Sequence, residues 1–215
     1  MSTPTTTRHL IAPTIATGVL MAGYLLLRPY GDVEQGAAMA EAFASPAWVA
    51  AHILGALALA SFARLALRVA DLGDSTTARI GRFTGLAGAV LVLPYYGAET
   101  FGLHAVGSRA LADPGTLELV DPIRNQPAAL TMFGLGLVLL AVAAVCVGRV
   151  LGRPAWPLAA TMALVLPQYF LPPFARMAFG VATLIAAVIL VQHLWTAADS
   201  ERVDSTAPVD LEPVR

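Results

Sequence analysis

The sequence predicts an all-α fold: a polytopic membrane helix bundle of about six transmembrane helices, both termini cytoplasmic. Three observations carry this. The chain is 57% hydrophobic and only 13% charged, whereas an ordinary soluble domain holds about 25% charged residues. Its mean hydropathy is +0.71. Its apolar residues are gathered into runs of about 20, the length an α-helix needs to cross the hydrocarbon core of a bilayer.

Six runs qualify. The first, 10–27, has Arg8 ahead of it like a secretory leader, but its apolar core is long. The Ala42-Phe43-Ala44 pattern lies too far downstream to serve as its cleavage site, so a retained helix is expected. The connection 29–46 contains GAAMAEAFA, which predicts a short interfacial helix presenting Glu34 and Glu41. The second run is 47–67. The third, 80–106, is long for one crossing and is expected to tilt or extend past the lipid. The fourth is 127–147, and the fifth, 156–171, is short. Pro172-Pro173 separates it from the sixth, 174–195; proline lacks a donor and clashes within a helix, so a tight turn is expected there. Residues 1–9 form an N-terminal tail and 10–195 the membrane domain. Residues 196–215, with Asp199, Glu201, Asp204, Asp210 and Glu212, are too polar to bury a core and are expected to be disordered.

All 13 basic residues are arginine. Nine fall on one side of the six crossings: Arg8, Arg64, Arg68, Arg79, Arg82, Arg149, Arg153, Arg202 and Arg215. The other side holds Arg28, Arg109, Arg124 and Arg176. The excess of arginine in cytoplasmic connections orients both termini inward, giving a multi-pass protein of the cell membrane. A net charge of −1 provides no field for nucleic acid, and no basic stripe occurs. Cys146 is the single cysteine, and there is no CxxC, GxSxG, HExxH or P-loop pattern. Neither a metal nor another cofactor is expected. Gly134 and Gly136 fit helix packing, as do Gly81-xxx-Gly85 and Ala51-xxx-Gly55, where small residues let helices approach closely.

Glu99 is the most informative residue. It lies in the apolar run LAGAVLVLPYYGAETFGLHAV, and an acid at the centre of a membrane helix costs about 2.5–3.5 kcal/mol on insertion scales. The six-crossing topology brings several polar and aromatic residues to its depth: Trp48 and His52 from the second helix, Tyr95, Tyr96, Phe101 and His104 from its own, Gln168 and Tyr169 from the fifth. Tyr95 and Glu99 share one helix face, as do Tyr96, Thr100 and His104. Pro94 and Pro167 should break their helices beside this cluster. Such breaks are tolerated where protein or a wet cavity satisfies the freed groups.

An acid set among aromatics in the stretch YYGAETFGLH of a small helical membrane protein resembles the integral-membrane terpene cyclases of fungal meroterpenoid and bacterial indole-terpenoid pathways. The resemblance implies Glu99 as the catalytic general acid. It implies Tyr95, Tyr96, Phe101, His104, His52, Trp48, Gln168 and Tyr169 as the walls that bind a prenyl substrate. That family uses a second helical acid; helices four to six here hold none, so Glu41, Asp113 or Asp121 would stand in from loops. The expected partners are the lipid bilayer and a hydrophobic small molecule. Two other readings stay open. One is a non-enzymatic carrier, sensor or accessory subunit, in which Glu99 pairs with an arginine such as Arg124 or Arg176. The other is a haem held by His52 and His104.

Overall fold

The computed structural model describes residues 7–206. Among these all regular structure is helical, with no strand. In chain order the helices are α1 (Ile11–Leu27), α2 (Ala37–Ala44), α3 (Pro46–Val69), α4 (Thr76–Gly97), α5 (Leu103–Ala110), α6 (Val120–Arg124), α7 (Pro127–Leu151), α8 (Trp156–Ala163), α9 (Val165–Gln168) and α10 (Pro173–Thr206). The starts of α3, α4 and α7 are written in the sequence. The Ser45 hydroxyl accepts from Ala47 N, the Ser75 hydroxyl from Ala78 N and the Gln126 side-chain carbonyl from Ala129 N. Pro46 and Pro127 occupy first turns, where a missing N–H costs nothing.

Five helices are long and apolar enough to cross a membrane: Thr7–Leu27, Pro46–Leu72, Thr76–Ala110, Pro127–Leu151 and Pro173–Asp199. Their outward faces carry large apolar side chains such as Phe83, Val90 and Ile185. Contiguous exposure on that scale belongs against lipid, not water. The expected fifth span, 156–171, is not a long helix. Pro167 clashes with the carbonyl four residues back, that of Ala163, and α8 ends there; Leu164 leaves helical geometry and α9 runs four residues. The thirteen residues from Trp156 to Gln168 rise about 20 Å, short of a hydrocarbon core of about 30 Å. The segment runs from Gly148 of α7, where Trp156 packs, to Tyr96 of α4, which the Tyr169 hydroxyl reaches. The expected disordered tail also differs. The α10 helix continues through Thr206, and only 207–215 of that tail lie outside the described residues.

Two sets of contacts hold the bundle. The α1 helix packs on α3 and α10; α4 packs on α7 and α3. Glycine makes the α4–α7 contact possible: a Cβ at Gly88 would stand 2.6 Å from the Gly136 carbonyl, and one at Gly136 2.8 Å from the Gly88 carbonyl. Gly81 faces Cys146, and Gly85 faces Ala66 and Ala143. At the opposite end from Arg68 and Leu194, α2 and α5 pack into a cap with their own small core of Phe43, Trp48, Leu103, Val106 and Val120. The α2 helix is the short interfacial helix expected in 29–46, with Glu34 and Glu41 exposed beside and on it.

Candidate functional site

Glu99 sits where the third membrane helix changes geometry. Residues Ala98–Gly102 form a π-turn joining α4 to α5, four residues after Pro94. Such single-turn insertions recur at functional sites because they re-aim side chains out of helical register. Here the turn swings Glu99 inward, leaving it 6% exposed. Thr100 donates its hydroxyl to the Tyr96 carbonyl, closing one of the loosened turns.

A network of charge surrounds it. Arg124, at the end of α6, donates Nε to Glu99 Oε1 at 2.9 Å and a terminal nitrogen to Oε2 at 3.4 Å. The same terminal nitrogen reaches Asp32 Oδ2 at 2.9 Å. Asp32 also accepts from Arg28 at 2.5 Å, and Arg28 donates to the Tyr24 hydroxyl at 3.0 Å. Burial alone would raise the Asp32 carboxyl, but the Arg28 and Arg124 guanidiniums hold it below the ordinary carboxylate range. Tyr95 donates its hydroxyl to Glu99 Oε1 at 3.2 Å. His52 stands on the other side, with Nε2 3.9 Å from Glu99 Oε2. Its Nδ1 lies 2.8 Å from the Trp48 carbonyl, which can only accept. Nδ1 therefore carries a proton, and in the neutral ring Nε2 presents a lone pair to the carboxylate. Trp48 stacks on His52 with ring centres 4.0 Å apart and donates Nε1 to the Glu99 carbonyl at 2.8 Å.

Beside this network is a cavity of about 400 Å³, within the size range of small-molecule sites. Glu99, His52, Tyr24, Tyr95, Tyr96 and Tyr169 line it, with Phe133 of α7 and three arginines, Arg28, Arg124 and Arg176. The rings brace one another. Tyr95 stacks on Phe133 at 4.4 Å, Phe133 meets Tyr169 edge-on at 5.5 Å, and the Tyr96 and Tyr169 hydroxyls are 2.8 Å apart. Gly55 of α3 leaves room for this, since a Cβ there would come within 3.0 Å of both the Tyr24 and Tyr96 rings.

Five of the nine expected site residues meet at the cavity: Glu99, His52, Tyr95, Tyr96 and Tyr169. Trp48 supports it from behind. Gln168 is 1% exposed and does not line the cavity, and its amide has no hydrogen-bond partner among the described residues. Phe101 is 61% exposed, and His104 turns toward the cap, its Nδ1 2.8 Å from the Phe43 carbonyl. The π-turn is the reason: it shifts residues beyond Glu99 out of the register that a straight helix would give. His52 and His104 therefore do not face a common cavity. The second acid is also not where expected. Asp32 joins Glu99 through Arg124, while Glu41, Asp113 and Asp121 do not line the cavity. Arg28 and Asp32 were missed; the one signal that could have found them is the spacing of Tyr24, Arg28 and Asp32, each four residues from the next. Neither a protein-family model, a curated protein nor a solved structure matches the chain.

Proposed function

We propose that the protein is a membrane-embedded enzyme that binds an isoprenoid-type lipidic molecule in the aromatic cavity and cyclises it by proton transfer at Glu99. One observation carries the proposal: a buried carboxylate in the wall of an aromatic cavity, facing a histidine nitrogen 3.9 Å away. The proposed reaction requires a proton delivered through this pair, and catalytic contacts are commonly long when no substrate is bound. In the proposed reaction that proton passes to an epoxide oxygen or olefin carbon. A second double bond supplies the electron pair that closes the ring, and a proton lost from a neighbouring carbon returns to the pair. The step is a net isomerisation and consumes no other reagent. Tyr95, Tyr96, Tyr169 and Phe133 present the ring faces that lower the energy of a carbocation. The proposed location is the cell membrane, with the arginine-rich connections and both termini in the cytoplasm.

The test is the product profile of cells expressing the chain with prenylated substrates, compared with Glu99→Gln and His52→Gln. Loss of cyclised product in both variants, with the protein still folded, is the expected result; unchanged yield in Glu99→Gln refutes the catalytic role. A second reading is favoured by a specific contact. Arg124 pins Glu99 and Asp32 together, which is what a structural staple in a carrier, sensor or accessory subunit would do. A partner that copurifies with the chain, together with unchanged products, would select it.

A further inference from the structure

We infer that the cavity takes an anionic single-chain amphiphile, with its oxyanion head at Arg176 beside Arg28 and Arg124 and its chain leaving toward lipid between α7 and α9. The inference rests on the cavity being the substrate site proposed above, but it concerns binding and not proton transfer.

Charge is the first argument. Three arginines and two carboxylates line the cavity. Arg28 and Arg124 share Asp32 and Glu99. Arg176, in the first turn of α10, donates instead to two backbone carbonyls: Nε to Leu171 at 2.9 Å and a terminal nitrogen to Tyr169. Among the described residues no carboxylate pairs with it. Carbonyls satisfy its hydrogens without neutralising its charge, so the wall holds one excess cation, and two when a proton lies on the Glu99–His52 pair. An oxyanion in the cavity would neutralise that cation through charge-assisted hydrogen bonds. The two carbonyls also fix the plane of the guanidinium before a ligand arrives, and a preorganised fork suits a phosphate or carboxylate.

Shape is the second argument. Part of the cavity lining is apolar, formed by Leu130, Gly134, Leu166 and Phe170. The eight-residue α8 packs against both α7 and α10. At the level of this lining α8 has ended, and the four-residue α9 packs only lightly on α7. A Cβ at Gly134 would meet no atom within 4 Å, and Phe170 is 84% exposed. The apolar lining therefore reaches the surface at Leu130 and Phe170, while Arg28, Asp32, His52 and Glu99 are buried and Arg176 is half-buried. That is the outline of an amphiphile entering sideways.

The test is saturable binding of dodecyl phosphate, dodecanol and inorganic phosphate to the full chain in phosphatidylcholine nanodiscs, against empty nanodiscs. Dodecyl phosphate should bind about tenfold or more tightly than dodecanol, the ratio one charge-assisted hydrogen bond provides. Arg176→Gln should abolish that ratio. Gly134→Leu, whose side chain enters open space, should weaken both amphiphiles. Equal affinity of the wild type for the two amphiphiles overturns the head site without reference to any variant. Inorganic phosphate binding as tightly as dodecyl phosphate overturns the amphiphile in favour of a free anion. Binding that ignores Gly134→Leu and falls as phosphatidylglycerol replaces phosphatidylcholine makes Arg176 an anchor for bilayer phosphates, and also overturns the inference. None of these measurements needs turnover, so failure here is distinct from failure of the proton-transfer reading, which product yield decides.

Discussion

Arg124 is the residue on which the buried charges depend. Among the described residues it is the side chain hydrogen-bonded to both Glu99 and Asp32. Removing one partner of a buried ion pair costs about 3–5 kcal/mol, because the other charge stays buried and unpaired. Arg124→Leu is therefore expected to lower stability by about that amount, measured by thermal unfolding in detergent. Adding Glu99→Gln should restore part of the loss, since the two residues are in contact and their effects cannot be additive. Asp32 makes a separate prediction. Its carboxyl is held below the ordinary range by two arginines, so its ionised form stabilises the fold. That contribution is complete above the ordinary carboxylate value of about 3.9 and fades as pH falls below it toward the folded-state value. Unfolding temperature should stay level from neutral pH to about pH 4 and then fall, and Asp32→Asn should flatten that acid limb. Glu99 and its aromatic neighbours were legible from the chain because an acid is conspicuous in an apolar run. Arg28 and Asp32 were not, because charged residues in a connection between helices look solvated until the fold buries them.

At the scale of the element, proline and glycine decide what the apolar pattern leaves open. The chain marks the ends of α3, α4 and α7 by caps, and the structure keeps them. It does not mark which glycine faces a neighbour. Gly134 and Gly136 lie two residues apart on α7, yet one faces open space and the other the Gly88 carbonyl. Gly136→Val should destabilise the protein by about 1–3 kcal/mol or more through overpacking, while Gly134→Ala should stay within about 0.5 kcal/mol of the wild type. Unfolding of the two variants side by side checks this. Pro94 and Pro167 were both expected to break helices near the cluster, but their effects differ. Pro94 is followed by a π-turn within a continuous helix; Pro167 splits its segment into α8 and α9. Pro167→Ala should let the two join, raising helicity and narrowing the opening beside α9. Slower uptake of dodecyl phosphate is the measurable consequence.

For the whole molecule, five helices are long and apolar enough to cross a membrane, and the shorter 156–168 segment would have to supply the remaining crossing of the expected topology. The Thr7 hydroxyl donates to the Leu194 carbonyl, which places the start of α1 beside the late part of α10. Labelling of single cysteines in a Cys146→Ser background should therefore separate two sets. Positions 34 and 113 should react with an impermeant reagent from outside, and positions 71 and 74 only after the inner face is opened. Reaction of all four from one side would break the topology. The sequence by itself determined the helical class, the membrane environment and the presence of a costly acid, because hydropathy, helix length and the penalty for buried charge are properties of local stretches. Tertiary structure alone decided that Glu99 would pair with Arg124 rather than stand free, that Asp32 would join it across 67 residues of chain, and that Phe101 and His104 would turn away. Those outcomes depend on one π-turn and on how closely helices can approach at glycine, and neither is encoded in any single run of residues.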